Sequence, residues 1–254
     1  MLLPIGDDNT GRRTTPFVTY GIVALNVIVF LFFQLGESGD RFTYAYSAVP
    51  YEITHNVDLV QPVVVPDVGP VPQAPGPSPI WLTILTSMFM HGGWLHIAGN
   101  LLYLWVFGDN IEDNFGHVKF LIFYLVAGIA ASFAQIALTP DSVIPTLGAS
   151  GAIAGVLGSY LIMFPRNRVR ALLPLGFIWT TVELPALVVL GFWIVIQVVS
   201  QYTSFASSPM GKSGGVAYMA HIGGFVAGVA LTFLFRRPTT RGYAPRDDDY
   251  YYRR

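Results

Sequence analysis

Two polar side chains stand in apolar stretches at positions where they could do chemistry. Ser150 lies in LGASGAIAG, between Gly148 and Gly151, and His221 lies in AHIGGFVAG. A serine hydroxyl is a weak nucleophile unless a base takes its proton, and a buried neutral histidine is such a base. Because no other histidine follows His117, His221 is the candidate base for Ser150.

Attack on a carbonyl also requires donors for the negative oxygen that develops. The stretch HGGWLHIAGN places His96 and Asn100 four residues apart, on one face of a helix, with His91 shortly before them. The backbone N–H of Ser150 is a third candidate, because the first turn of a helix leaves its N–H groups free. The chain therefore contains candidates for every role in acyl transfer.

Each of these residues can also be explained without a catalytic role. A serine in an apolar span is usually a packing residue, and a membrane histidine can serve in packing, metal binding or a proton relay. His91 and His96 could share a metal, but the sequence has no HExxH motif and no acidic ligand close to them. The presence of a candidate nucleophile, base and oxyanion donors in one chain favours catalysis. We predict neither a metal nor another cofactor.

Glycines provide the geometry that a short serine side chain needs. Gly151 and Gly155 form one small-xxx-small pair, and Gly224 and Gly228 form another. Such pairs let two helix backbones approach closely. The pattern predicts that the helix of Ser150 packs tightly against the helix of His221.

Composition identifies the class of protein. Of 254 residues, 53% are hydrophobic and 11% are charged, whereas a soluble domain has roughly 25% charged residues. Several apolar stretches of about 20 residues predict a polytopic helical membrane protein. The net charge of −1 gives no indication of a nucleic-acid partner, and the absence of cysteine excludes disulfides and thiolate chemistry.

Six spans are predicted in an all-α bundle, at about residues 17–35, within 80–107 (helical from about 95), 118–138, 148–164, 184–200 and 216–235. The apolar piece from Ala171 to Ile178 is either the start of the fifth span or a short interfacial segment. Residues 36–79 form a loop whose proline-rich second half is expected to be extended or irregular, not a folded domain. Residues 236–254 form a polar tail.

Basic residues predict the orientation of these spans. If residues 1–16 face the cytoplasm, twelve lysines and arginines lie on the inner side and two, Arg41 and Lys212, on the outer side. This bias follows the positive-inside rule and places both termini in the cytoplasm. The inner residues are Arg12, Arg13, Lys119, Arg166, Arg168, Arg170, Arg236, Arg237, Arg241, Arg246, Arg253 and Arg254.

Span counting then places the polar residues at one depth. Spans two, four and six all begin on the outer side, where they carry His96 and Asn100, Ser150, and His221 respectively. Polar residues at membrane depth are costly and tend to carry function. We therefore predict a single site in the outer half of the membrane.

Taken together, these motifs resemble those of the rhomboid intramembrane serine proteases. The resemblance rests on G-x-S-G at Gly148 to Gly151, H-x4-H-x3-N at His91, His96 and Asn100, and A-H-x-G-G-x3-G from Ala220 to Gly228. It runs from about Ile80 to Phe235 and includes the order of the spans.

The resemblance implies a six-helix core, an active site open to the outer side, and a Ser–His dyad without an acidic third member. By position, Ser150 is the nucleophile and His221 is the base. His96, Asn100 and Gly148 belong to the oxyanion and substrate-binding region. Glu112, in GDNIED, matches an acidic position of the family, which implies a structural role. Because Glu112 and Asp113 lie near the inner end of the second span, we expect both to be interfacial charges that stop the helix.

Two features depart from the family pattern. Many relatives carry an aromatic residue four positions after the serine, where its ring stacks on the histidine, but this chain has Ala154. Another group must therefore hold His221, or the dyad is looser. The proline-rich loop also does not match the amphipathic, membrane-dipping loop expected at its place.

The leading hypothesis is an endopeptidase that acts on transmembrane protein substrates within or next to their membrane helix. One alternative is a catalytically weak relative that binds transmembrane clients, and another is a small transporter or channel. A transporter would need ionisable residues through both leaflets, whereas the polar cluster is confined to the outer half. The expected location is a bacterial cell membrane, with the lipid bilayer and membrane proteins as partners and no nucleic acid.

Overall fold

The computed structural model describes residues 3–66, 68–175, 178–207 and 215–236, and most of them are helical. Helix α1 (Phe17–Ile28) continues as a π-helical stretch (Val29–Gln34), and α4 (Thr83–Thr86) lies between the 3-10 turns Ile80–Leu82 and Ser87–Phe89. The other helices are α2 (Gly39–Tyr46), α3 (Pro50–His55), α5 (Trp94–Phe115), α6 (His117–Leu138), α7 (Ser150–Met163), α8 (Ala186–Ser207) and α9 (Tyr218–Phe235). The strands are β1 (Leu3–Asp7), β2 (Val63–Val65), β3 (Gly69–Val71), β4 (Arg168–Leu175) and β5 (Ile178–Pro185).

Four helical stretches among the described residues are long and apolar enough to cross a membrane: Phe17–Gln34, His117–Leu138, Ala186–Ala206 and Tyr218–Phe235. Helix α5 has 22 residues but carries acidic side chains toward its end, and α7 has only 14 residues. The prediction of a helical multi-pass membrane protein is confirmed. The count of six spans and the cytoplasmic placement of the termini stay predictions.

Helix α7 is the central element of the bundle. Its ten consecutive residues from Gly151 to Tyr160 are all buried, and it packs against α5, α6, α8 and α9. A Cβ added at Gly224 would lie 2.0 Å from the carbonyl oxygen of Gly151, and one at Gly228 would lie 2.0 Å from that of Gly155. The predicted close approach of the two glycine-bearing helices is therefore confirmed.

The prediction of an all-α fold is wrong at the end of the molecule opposite Ser150. Strands β1, β4 and β5 form an antiparallel sheet in the order β1-β4-β5. Residues 171–175 lie in β4 and Ile178 begins β5, so this piece does not start the fifth span. Burial alternates along β4, with Val169 and Ala171 buried and Arg168 and Arg170 exposed, which is the two-residue period of a strand with one covered face.

The loop between α1 and α4 is helical in its first half, which contains α2 and α3. In the proline-rich half, the described residues before the 3-10 turn Ile80–Leu82 have no regular structure outside the β2–β3 hairpin, which was not predicted. Ala48 and Thr146 exchange two backbone hydrogen bonds, so the loop holds the segment that leads to α7. Burial raises the pKa of Glu52, in α3, to about 7.

The last turns of α5 bind the N-terminal segment. Glu112 is fully buried, and its carboxylate accepts hydrogen bonds from the backbone N–H groups of Val18 and Thr19. It thereby caps the first turn of α1 and satisfies N–H groups that the helix itself cannot pair. Helix α5 also runs to Phe115, eight residues past the predicted end of the span, so Glu112 is a capping group inside the fold and not an interfacial charge.

Strand β1 is joined to the same end of the bundle by Asp7. Its Oδ2 accepts hydrogen bonds of 2.6 Å from the hydroxyl of Tyr160, on α7, and of 2.6 Å from Nδ2 of Asn110, on α5. Burial, opposed by the hydrogen bond from Tyr160, raises the pKa of Asp7 to about 7.

Candidate active site

Ser150 is the first residue of α7, directly after a tight backbone turn. Gly148 has a φ of +130°, a region that favours glycine because a side chain there meets the backbone. The N–H of Gly148 donates to the carbonyl of Ser87 at 2.9 Å, which fixes the turn against the segment before α5. Ser150 is thereby presented at a helix N-terminus, where N–H groups and the helix dipole favour negative charge.

The hydroxyl of Ser150 meets the imidazole of His221 across the α7–α9 contact. Oγ of Ser150 lies 2.8 Å from Nε2 of His221, although the two residues are 71 positions apart in the chain. This is the hydrogen-bond distance that proton transfer from a nucleophile to a base requires. The predicted pair is therefore brought together by the close packing of the glycine-bearing helices.

The other face of His221 is supported by α8. Nδ1 of His221 lies 2.7 Å from Oε1 of Gln197, and the ring of Trp193 lies 5.8 Å from the imidazole, centroid to centroid, at 36°. Ala154, at the position where many relatives have an aromatic residue, is fully buried. The group expected to hold His221 in place of that ring thus comes from another helix.

His96 is oriented by the turn before its own helix. Its Nδ1 accepts a hydrogen bond of 3.2 Å from the backbone N–H of Gly92. In a neutral imidazole one nitrogen accepts and the other donates, so Nε2 of His96 carries the proton. That N–H is available to a ligand at the site.

The absence of a side chain at Gly148 leaves free space between His96 and Ser150. A Cβ added at Gly148 would lie 2.8 Å from Nε2 of His96 and 3.5 Å from Oγ of Ser150. Glycine leaves this volume free. An oxygen atom placed there would be within reach of the His96 donor and next to the hydroxyl of Ser150.

Asn100 supplies an unpaired donor. Asn100 is 8% exposed, and its Nδ2 is buried without a hydrogen-bond partner. Buried polar atoms are paired in the large majority of cases, so this donor beside a cavity is available to a water molecule or a ligand atom.

His91 lies next to His96 but makes no hydrogen bond to Ser150. Its ring is 5.2 Å from that of His96, edge to face, and both of its ring nitrogens are buried without a partner. Its backbone N–H and C=O are both bound by the side chain of Gln34. The structure therefore places His91 against His96 and not among the residues that line the cavity.

A cavity of about 760 Å³ connects these groups. His96, Asn100, Ser150 and His221 all border it, and its walls are largely apolar, with Leu95, Ile153, Leu157 and Trp193 among the lining residues. Ligand pockets commonly have this size and this mixture of apolar walls with a few convergent polar groups.

Gln197 and Trp193 are contacts of the site that the sequence prediction missed. Gln197 is a lone amide in the apolar run FWIVIQVVS, and a polar side chain at membrane depth is itself an indication of function. The sequence therefore contained an indication that Gln197 has a function. The contact with His221 could not be predicted from the sequence, because it depends on how α8 is rotated against α9.

Comparison with known proteins gives a consistent result. Residues 79–238 match the model of the Rhomboid domain family. The chain is 36% identical over 151 residues to rhomboid protease GluP of Bacillus subtilis, and that match covers 59% of this chain and 26% of the relative. It is 30% identical over 156 residues to rhomboid protein 1, mitochondrial, of Saccharomyces cerevisiae, covering 58% of this chain and 40% of the relative.

A third relative is rhomboid-like protein 11, chloroplastic, of Arabidopsis thaliana. It is 25% identical over 164 residues, and the match covers 63% of this chain and 54% of the relative. The chain thus matches between about a quarter and about half of the length of these relatives. Of the three names, only that of the Bacillus protein includes the word protease.

Proposed function

This chain belongs to the rhomboid family, and from that premise we propose that it is an intramembrane serine endopeptidase. It cleaves transmembrane protein substrates within or next to their membrane helix, with Ser150 as nucleophile and His221 as general base. The observation that carries the proposal is the 2.8 Å contact between Oγ of Ser150 and Nε2 of His221 at the edge of a cavity.

The proposed reaction uses the groups in a fixed order. The hydroxyl proton of Ser150 passes to Nε2 of His221 as Oγ attacks the substrate carbonyl, and the carbonyl oxygen becomes negative. His221 then gives the proton to the leaving amine, and water hydrolyses the acyl-enzyme with His221 again acting as base. The arrangement needs no acidic third residue.

Three donors can serve the negative oxygen. They are Nε2–H of His96, Nδ2 of Asn100 and the backbone N–H of Ser150, which belongs to the first turn of α7. Preorganised donors of this kind are a major source of rate enhancement. The free volume above Gly148, which contacts both His96 and Ser150, suits the oxygen.

The length of α7 supports cleavage below the membrane surface. A 14-residue helix is about 21 Å long, whereas the hydrocarbon core is about 30 Å thick. A helix this short ends inside the membrane on at least one side, and burial by its neighbours removes the need to face lipid. If its Met163 end lies at the inner surface, Ser150 lies below the outer surface, with the cavity as the route for water.

We further propose the topology that the charges favour. Residues 17–235 form a six-span membrane domain in which α5 and α7 join the four apolar spans, residues 1–16 are cytoplasmic, and residues 36–79 are the extracytoplasmic loop. The active site faces the outer side, and a bacterial cell membrane is the proposed location. The polar tail 236–254 is proposed to be cytoplasmic, and it lies outside the described residues from 237 onward.

The test is covalent labelling of the detergent-purified protein with a fluorophosphonate probe. We expect wild type to be labelled, and Ser150→Ala and His221→Ala to lose labelling while keeping the elution profile and unfolding midpoint of wild type. Cleavage of a reporter with one transmembrane helix should fail in the same two variants.

Absence of wild-type labelling, alongside a related protease that is labelled in parallel, would contradict the proposal. The client-binding alternative would then gain support if the protein still retained transmembrane reporters without cutting them. Labelling that persists in Ser150→Ala would mean that another residue is the nucleophile.

A further inference from the structure

Gln197 connects the candidate base to a third helix. It lies on α8, is 5% exposed, and places Oε1 at 2.7 Å from Nδ1 of His221. The other atom of its amide, Nε2, lies 3.4 Å from the backbone carbonyl of Trp193, one turn earlier. The amide oxygen of Gln197 therefore contacts a ring nitrogen of His221, and the amide nitrogen contacts a backbone carbonyl oxygen.

These contacts determine the direction of the hydrogen bonds. A backbone carbonyl only accepts, so the amide nitrogen of Gln197 must face Trp193 and the amide oxygen must face His221. An amide oxygen also only accepts, so Nδ1 of His221 must carry the proton. In the neutral ring Nε2 is then unprotonated, and the Ser150 hydroxyl donates to it.

We propose that Gln197 is the positioning residue that selects the reactive tautomer of His221. The inference rests on the proposed function and extends it to a third member, a neutral amide in place of a carboxylate. With the opposite tautomer, Nε2 would present a proton to Ser150 and could not accept one. Gln197 keeps the acceptor on the side of the nucleophile in the resting protein.

Gln197 also remains paired when His221 takes the proton from Ser150. The imidazolium carries protons on both nitrogens, and the amide oxygen continues to accept from Nδ1–H without reorganising. Donors and acceptors that are already oriented act on a developing charge more effectively than mobile solvent does. Trp193, one turn from Gln197, packs its ring beside the same imidazole. Helix α8 therefore supplies both a ring contact and a hydrogen bond to His221.

The principal test compares Gln197→Leu with Val198→Leu. Gln197→Leu puts an apolar side chain in the place of the amide and removes the acceptor for Nδ1 of His221. Val198 is the next residue on the helix and is half exposed, so Val198→Leu serves as the matched control. We expect the second-order rate of fluorophosphonate labelling to fall roughly 10- to 100-fold in Gln197→Leu, which reaches only the lower limit of the roughly 10²- to 10⁴-fold that acid–base assistance contributes. Val198→Leu should label at the wild-type rate.

Gln197→Glu is the conservative variant. Either form of its carboxyl group retains an oxygen that accepts from Nδ1–H, so we expect its labelling rate to lie well above that of Gln197→Leu. Equal rates in two folded variants, or an unchanged rate in Gln197→Leu, would overturn the proposal while leaving Ser150 and His221 in their roles.

A direct measurement separates this proposal from the proposed function. Nitrogen NMR of ¹⁵N-histidine-labelled protein, with the His221 signals assigned by comparison with His221→Ala, reports which ring nitrogen carries the proton. We expect Nδ1 to be protonated in wild type and in Ser150→Ala, and the two nitrogens to exchange the proton in Gln197→Leu. A resting form protonated at Nε2 would overturn the inference whether or not the protein proves to be a protease.

Discussion

The two ends of α7 each carry a serine that contacts α9, but Ser150 borders the cavity whereas Ser159 is fully buried. At the Ser150 end, Oγ lies 2.8 Å from Nε2 of His221. At the Tyr160 end, Oγ of Ser159 lies 2.9 Å from Oγ1 of Thr232. The same pair of helices thus makes a hydroxyl contact twice.

The difference between the ends lies in what surrounds each hydroxyl. Ser159 and Thr232 are both fully buried, and Thr232 also bonds the carbonyl of Gly228. At the Ser150 end the Nδ2 donor of Asn100 has no partner, and open volume remains beside His96. A closed network stabilises the helix pair, whereas unpaired donors around a cavity can bind a developing charge.

The sharpest way to break this comparison is to remove the unpaired donor. Asn100→Ala should lower the labelling rate by about 10²- to 10³-fold, as expected for loss of one oxyanion donor. The unfolding midpoint should stay the same or rise, because the variant deletes a buried group that has no partner. Labelling kinetics and thermal unfolding measure the two quantities on one preparation.

Asn110→Ala is the matched control at the other end of α5. Nδ2 of Asn110 donates to Asp7 and to Asn9, so its loss should lower the unfolding midpoint without changing the labelling rate of the folded protein. If Asn100→Ala labels at the wild-type rate, Asn100 has no part in oxyanion binding.

At the Tyr160 end of α7, folding stability should depend on pH through Asp7. The pKa of Asp7 is raised from 3.8 to about 7, chiefly by burial, so the folded state favours the protonated carboxyl. That contribution to stability is complete below about pH 4 and is lost as the pH rises through 7. Relative to Asp7→Asn, wild type should lose roughly 1–3 kcal/mol of unfolding free energy between pH 5 and 7.

Thermal unfolding at pH 5, 6, 7 and 8 measures this slope. Some dependence should remain in Asp7→Asn, because the pKa of Glu52 is raised to about 7 as well. Asp40→Asn, at an exposed position on α2, is the control and should leave the slope unchanged. Equal slopes in wild type and Asp7→Asn would show that the Asp7 carboxyl does not titrate with folding.

The same two ends show how far the sequence predicts the molecule. Near Ser150 the relevant signals are local: a serine between glycines, two polar side chains four residues apart, and small-xxx-small pairs. Because each reports on one helix face, the helices and their close packing could be predicted. The contact from Gln197 could not, since the rotation of α8 is decided by packing along its whole length.

Near Tyr160 the prediction failed where pairing is long-range. Strand β1 pairs with β4 more than 160 residues later, and apolar residues from Ala171 to Ile178 fit a helix or a strand equally well over so short a run. Glu112 was expected to be an interfacial charge, because a carboxylate that caps another helix cannot be distinguished from one at the membrane surface by sequence alone.

The smallest expected effect concerns the second serine itself. Ser159→Ala removes one partner of Thr232, but the Thr232 hydroxyl keeps its bond to the carbonyl of Gly228. The free energy of unfolding should therefore fall by only about 1 kcal/mol, and the labelling rate should not change. Ser150→Ala should show the reverse, with labelling lost and stability kept. If Ser159→Ala instead slowed labelling at unchanged stability, the Tyr160 end would contribute to the chemistry, and the division between a closed network and an open site would not hold along α7.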